Sequence, residues 1–139
     1  MMRLPPFTYL APRSVTEAVR LMAEHGPEAM FVAGGTDLYP NMKRRQFEPK
    51  ALVGLRGLRE LVGVRGEARA GLTIGAGTTL TDVSEHAVVR EHFPALAVAA
   101  GLVSTPPLRN MGTIGGNVDR KSTRLNSSHL KLSRMPSSA

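Results

Sequence analysis

Two Gly-Gly segments, far apart in the sequence, constrain this chain of 139 residues more than any other feature. They are Ala33-Gly34-Gly35-Thr36-Asp37 and Gly112-Thr113-Ile114-Gly115-Gly116-Asn117. Consecutive glycines adopt positive φ without strain and let successive backbone N–H groups point into one concavity. Such a concavity suits phosphate oxygens, and a glycine lacks the Cβ that would hold a diphosphate at a distance. The hydroxyls of Thr36 and Thr113 add donors. Taken alone, each pair also reads as a plain tight turn. Taken together, the two loops can grip a dinucleotide diphosphate from both sides. Neither matches G-x-G-x-x-G or the Walker A pattern, which sets aside the standard Rossmann and P-loop readings.

The segments around the first loop have an α/β rhythm. Phe7–Leu10 reads as a short strand. Ser14 stands three residues before Glu17, the spacing of a capping box. Val15, Ala18, Val19 and Met22 then give one apolar helical face, which Gly26-Pro27 ends. Met30–Ala33 is a brief strand running into Gly34, residues 37–45 form a short helix or crossover, and Ala51–Leu55 is the next strand. Beyond a boundary near residue 56 the rhythm changes. Leu61–Val64 and Leu72–Ala76 flank the turn-prone Arg65–Arg69, which predicts an antiparallel hairpin. Thr78–Glu85 and Pro94–Val103 read as helices, the second with Leu96, Ala99, Ala100 and Val103 on one face. The domain reading is therefore 1–55, 56–118 and a separate tail, 119–139.

That tail decides how the charge is read. The chain carries net +7, but residues 119–139 hold five basic side chains against Asp119, which leaves +3 for the first 118 residues. The segment has no apolar period, so the expectation is disorder. Asp119–His129 and Ser133–Ala139 also back-translate into strings that resemble a common sequencing-library adapter. A non-native tail and a natural protein truncated after Val118, inactive alone, are expected on that ground.

Composition removes other classes. With zero Cys there is no disulfide frame, zinc-thiolate site or iron–sulfur cluster in this chain. No apolar run is long enough for a membrane span and the N-terminus lacks a signal-peptide core, which makes a cytoplasmic location the expectation. A nucleic-acid role finds no aromatics interleaved with the basic residues. His25, His86 and His92 lack metal-ligand spacing, and Ser84-Glu85-His86 is no triad, because neighbours on a helix diverge. Asp37 reads either as a helix N-cap or as a cofactor contact. Lys43-Arg44-Arg45 reads as a solvated run, a phosphate contact or a partner contact.

Three segments in series, Ala33–Leu38, Leu72–Leu80 and Arg109–Val118, resemble the FAD-binding medium subunit of the molybdenum hydroxylases. That group includes xanthine dehydrogenase, carbon monoxide dehydrogenase and 4-hydroxybenzoyl-CoA reductase. The resemblance spans residues 5–118. It implies an α+β fold of the p-cresol methylhydroxylase (PCMH) type, a small α/β N-terminal subdomain followed by an incomplete, mainly antiparallel second one. It also implies FAD contacts from Phe31, Val32, Ala33, Gly34, Gly35, Thr36, Asp37 and Leu38. Gly112, Thr113, Ile114, Gly115, Gly116 and Asn117 would supply a second set, with Ile74 near the flavin. The implied role is an oxidoreductase subunit relaying electrons between an iron–sulfur subunit and an external carrier such as NAD or ferredoxin, while a molybdenum-cofactor subunit performs the substrate chemistry. No acid, base, nucleophile or metal ligand is nominated. The alternative is a stand-alone flavin oxidase of the same fold, which would need a substrate domain of its own.

Overall fold

The computed structural model describes residues 3–127. Its N-terminal part is a three-stranded parallel sheet of β1 (Thr8–Leu10), β2 (Ala29–Val32) and β3 (Ala51–Gly54), in the order β1-β3-β2. All of β3 is buried, as the central strand of a covered parallel sheet should be. Helix α1 (Val15–His25) connects β1 to β2, and α2 (Leu38–Lys43) connects β2 to β3.

Helix α1 starts where Ser14 Oγ accepts the Glu17 N–H at 3.1 Å. The reciprocal half of the capping box is absent, because the Glu17 carboxylate accepts from the Arg13 N–H instead. Glu60, from the turn after β3, accepts from the Val15 N–H and ties the helix start to the end of the sheet. Val15, Ala18 and Met22 pack on the sheet together with Leu21, whereas Val19 is 59% exposed. At 100° per residue Val19 sits about a quarter-turn from the centre of that stripe. A second cluster of Val32, Met42 and Leu52, with Leu38 and Tyr39, fills the other face.

The second part holds an antiparallel hairpin, β4 (Val64–Glu67) with β5 (Gly71–Ile74). The hairpin starts later than the sequence suggests. Leu61 belongs to a 3-10 turn over Arg59–Leu61, and Gly63 at φ 112° separates that turn from the strand. Helices α3 (Leu80–Glu85), α4 (Ala87–His92), α5 (Pro94–Gly101), α6 (Pro106–Arg109) and α7 (Ile114–Ser127) make up most of the rest. Their core is Leu80, Val83, Val89, Ala97 and Ala100, backed by Leu72, Ile74 and Leu96. Ala97, not the exposed Ala99, completes the buried face of α5.

Helix α7 corrects the expectation of disorder from residue 119. It is helical as far as Ser127. A helix already nucleated at Thr113 gains a backbone bond for each residue it adds and needs no apolar period to continue. Residues 128–139 lie outside the described residues, so the remainder of the expected disorder does too.

Candidate functional site

The first glycine loop leaves the C-terminal end of β2 and opens α2, with the Tyr39 N–H donating to the Gly35 carbonyl at 3.1 Å. Gly35 has φ 70°, in the left-handed region that favours glycine. A Cβ there would run into the ring of Tyr39. At Gly34 a Cβ would run into the carbonyl oxygen of Met111 and lie 3.0 Å from the Gly112 Cα. Gly112 packs in return: a Cβ on it would lie 3.6 Å from Thr36 Oγ1. The two loops are therefore in backbone contact. Gly34 and Gly35 are required by that contact and by Tyr39, rather than by empty space kept for a ligand.

The difference between the loops lies in their amides. In the second loop every N–H from Ile114 to Asn117 has a protein acceptor. Ile114 donates to the Thr78 carbonyl and Gly115 to the Ala76 carbonyl, both at 2.9 Å. Gly116 donates to Thr113 Oγ1 at 3.2 Å and Asn117 to the Thr113 carbonyl at 3.0 Å. Thr113 thus caps α7, satisfying donors that a helix start otherwise leaves unpaired. A Cβ on Gly115 would sit 2.7 Å from the Ala76 Cβ, so this glycine lets the helix start press onto the loop after β5. In the first loop, by contrast, the amides of Gly34, Gly35, Thr36 and Asp37 donate to no acceptor among the described residues. They form a row of open donors beside the Thr36 hydroxyl.

Charge around this row is uneven. Asp37 occupies the N-cap position of α2, yet its side chain makes no capping bond. Its carboxylate instead pairs with Arg120 Nε at 2.9 Å and accepts from Asn41 Nδ2 at 3.2 Å. Arg56 Nη1 lies 3.3 Å from Met111 Sδ. Burial, and secondarily the neighbouring Tyr9, raise the Tyr39 phenol above the ordinary tyrosine value of 10.0. Lys43-Arg44-Arg45 leaves the opposite end of α2 from the loop, where the helix dipole favours cations; Arg45 pairs with Glu48 at 3.6 Å.

The remaining nominated residues are distributed unevenly. Val32 is 4% exposed and Leu38 packs in the same cluster, so their side chains serve the core and only their backbone is available to a ligand. Phe31 is 42% exposed on β2. Ile74 closes β5 and packs on the second core, two residues before Ala76. The sequence reading nominates none of Met111, Tyr39, Arg56, Ala76 and Thr78 as a site residue, although Met111, Ala76 and Thr78 lie within the segments that carry the resemblance. Tyr39 had a readable signal, its i+4 spacing from Gly35. Thr78, buried at 2% and exchanging bonds with the Gly63 backbone through its hydroxyl, had only its polar character. Among the described residues no group of His, Asp or Glu is arranged to hold a metal, and no helix is long and apolar enough to cross a membrane.

Known proteins resemble this chain over most of its length. A family described as the FAD binding domain in molybdopterin dehydrogenase matches residues 5–133. The carbon monoxide dehydrogenase medium chain of Hydrogenophaga pseudoflava is 42% identical over 114 residues, 82% of this chain and 39% of that protein. The nicotinate dehydrogenase FAD-subunit of Eubacterium barkeri is 37% identical over 118 residues, 84% of this chain and 39% of that one. Among solved structures, the carbon monoxide dehydrogenase of Hydrogenophaga pseudoflava superposes with a TM-score of 0.80 over 84% of this chain and 40% of the other, at 42% identity. Quinoline 2-oxidoreductase of Pseudomonas putida 86 gives 0.77 over 83% and 40%, at 34% identity. This chain thus spans about two fifths of the length of the curated relatives it matches. On the loop junction, the family match and these relatives together, the chain belongs to the family of FAD-binding domains of molybdopterin dehydrogenases.

Proposed function

We propose that this chain is part of the FAD-binding electron-transfer subunit of a multi-subunit molybdenum-containing oxidoreductase, with its FAD diphosphate on the open amides of Gly34, Gly35, Thr36 and Asp37. The observation that carries this reading is the row itself: four successive N–H donors without acceptors among the described residues, at the point where two glycine loops touch. Successive unpaired backbone amides at a turn can form an anion-binding concavity. They lie past the C-terminal end of a parallel strand, where open α/β sheets bind ligands. The donor set therefore fits a diphosphate.

The segment Gly112–Asn117, whose amides from Ile114 onward are bonded within the protein, holds the first loop in place for the diphosphate. In this reading Ile74 lies near the flavin, as the family resemblance implies, and Phe31, exposed on β2 just before the first loop, offers a further apolar contact. FAD, when bound, supplies electron storage and release between iron–sulfur clusters and an external carrier such as NAD or ferredoxin. This chain contributes binding, orientation and the electrostatics of the diphosphate. A molybdenum-cofactor subunit and an iron–sulfur subunit are the partners in this reading; the words "medium chain" and "FAD-subunit" in the names of the relatives mark those proteins as one subunit among several. Equilibrium titration with FAD and FMN tests the reading. FMN has a single phosphate, so binding should favour FAD clearly; equal affinity, or no binding of either, would contradict it.

A further inference from the structure

The register of the parallel sheet brings a cation to the junction of the loops. Strands β2 and β3 pair from Ala29 with Ala51 to Val32 with Gly54. One more bond, from the Leu55 N–H to the Val32 carbonyl at 2.8 Å, continues the pairing past both strand ends. Arg56 thus emerges beside the first loop, from the central strand of the sheet. Its guanidinium reaches the second loop, with Nη1 3.3 Å from Met111 Sδ. Met111 is also the residue whose carbonyl oxygen Gly34 packs against.

A thioether is a weak acceptor, so this contact aims the guanidinium without neutralising it. Among the described residues Arg56 has no carboxylate within salt-bridge distance, whereas Arg120, on the Asp37 side, is paired. Four amides offer only partial positive charge to a ligand group that carries two negative charges. Arginine matches phosphate oxygens through its planar fork and keeps its charge at any working pH. We propose that Arg56 is a diphosphate-binding residue that supplies a full positive charge at the loop junction, beside the partial charges of the amides; this rests on the dinucleotide-binding reading above.

The test compares this chain with R56Q and R56K in equilibrium titrations of FAD, ADP and riboflavin, over a range of salt concentrations. Arg56 is exposed, and circular dichroism should show both variants folded as the parent is. Losing one charge-assisted contact should weaken FAD and ADP by about ten-fold or more in R56Q, with R56K recovering part of the loss. The salt dependence of binding should flatten in R56Q, a change that a merely structural role would not produce. Riboflavin, without phosphates, should respond to neither substitution. If the parent binds FAD and ADP while R56Q matches it in affinity and salt dependence, Arg56 has no such role and the FAD reading stands. If the parent itself binds neither FAD nor ADP, both proposals fall.

Discussion

The two glycine loops look alike in sequence and differ in what their backbone has left to give. Gly34–Asp37 follows a strand, and its four amides are uncommitted among the described residues. Ile114–Asn117 begins a helix, and its amides are consumed by Thr78, Ala76 and Thr113. Gly-Gly therefore carries two physical meanings in one chain. In the first loop it permits a left-handed turn and lets the backbone touch Met111. In the second it lets a helix start press on Ala76. The first loop presents donors; the second braces it from behind.

This division of labour predicts which substitutions separate stability from affinity. The largest effect should come from Gly34→Ala, because its methyl meets a backbone carbonyl that cannot swing away. Overpacking of that kind should cost about 3 kcal/mol in urea denaturation and should reduce FAD binding with it. Thr113→Val removes the acceptor of the Gly116 N–H and should cost about 1 kcal/mol, with a smaller change in FAD affinity. Thr36→Val is the reverse case: the Thr36 hydroxyl has no partner among the described residues, so stability should hold while FAD binding weakens by about five-fold. A T113V variant that lost affinity but not stability would break the comparison.

The smallest effect concerns the ring behind Gly35. The Tyr39 phenol is raised by burial first and by Tyr9 second, so its neutral form is favoured in the folded chain. Its contribution to stability is full below the unfolded tyrosine value and is lost as pH rises through the higher folded value. An ultraviolet titration of the two tyrosines should show one titrating above 10.0, and Tyr9→Phe should move it down. Superimposable titrations of parent and Y9F would remove Tyr9 as a cause.

Much of this was legible beforehand. The three parallel strands and α1 follow from short apolar runs, Ser14 and Gly26-Pro27, with strand limits shifted by a residue or so. The loops are recognisable as a pair because each combines Gly-Gly with a nearby Thr. Three features were not legible. Val19 fits the helical period but lies at its margin, where only the width of the sheet decides exposure. Gly63 delays the hairpin by taking a positive φ that no local pattern announces. The commitment of amides in the second loop depends on the Ala76 and Thr78 carbonyls, and that pairing exists only after the hairpin and α3 have brought residues 76–79 against 113–115. The site residues were visible as residue types; their division into donors and braces is a tertiary property.

Amide hydrogen exchange, resolved by residue with and without saturating FAD, tests that division most directly. The account predicts slow exchange at Ile114–Asn117 in the free chain with little change on binding, and fast exchange at Gly34–Asp37 that slows strongly when FAD is added. Protection gained at Ile114–Asn117, with Gly34–Asp37 unchanged, would contradict it.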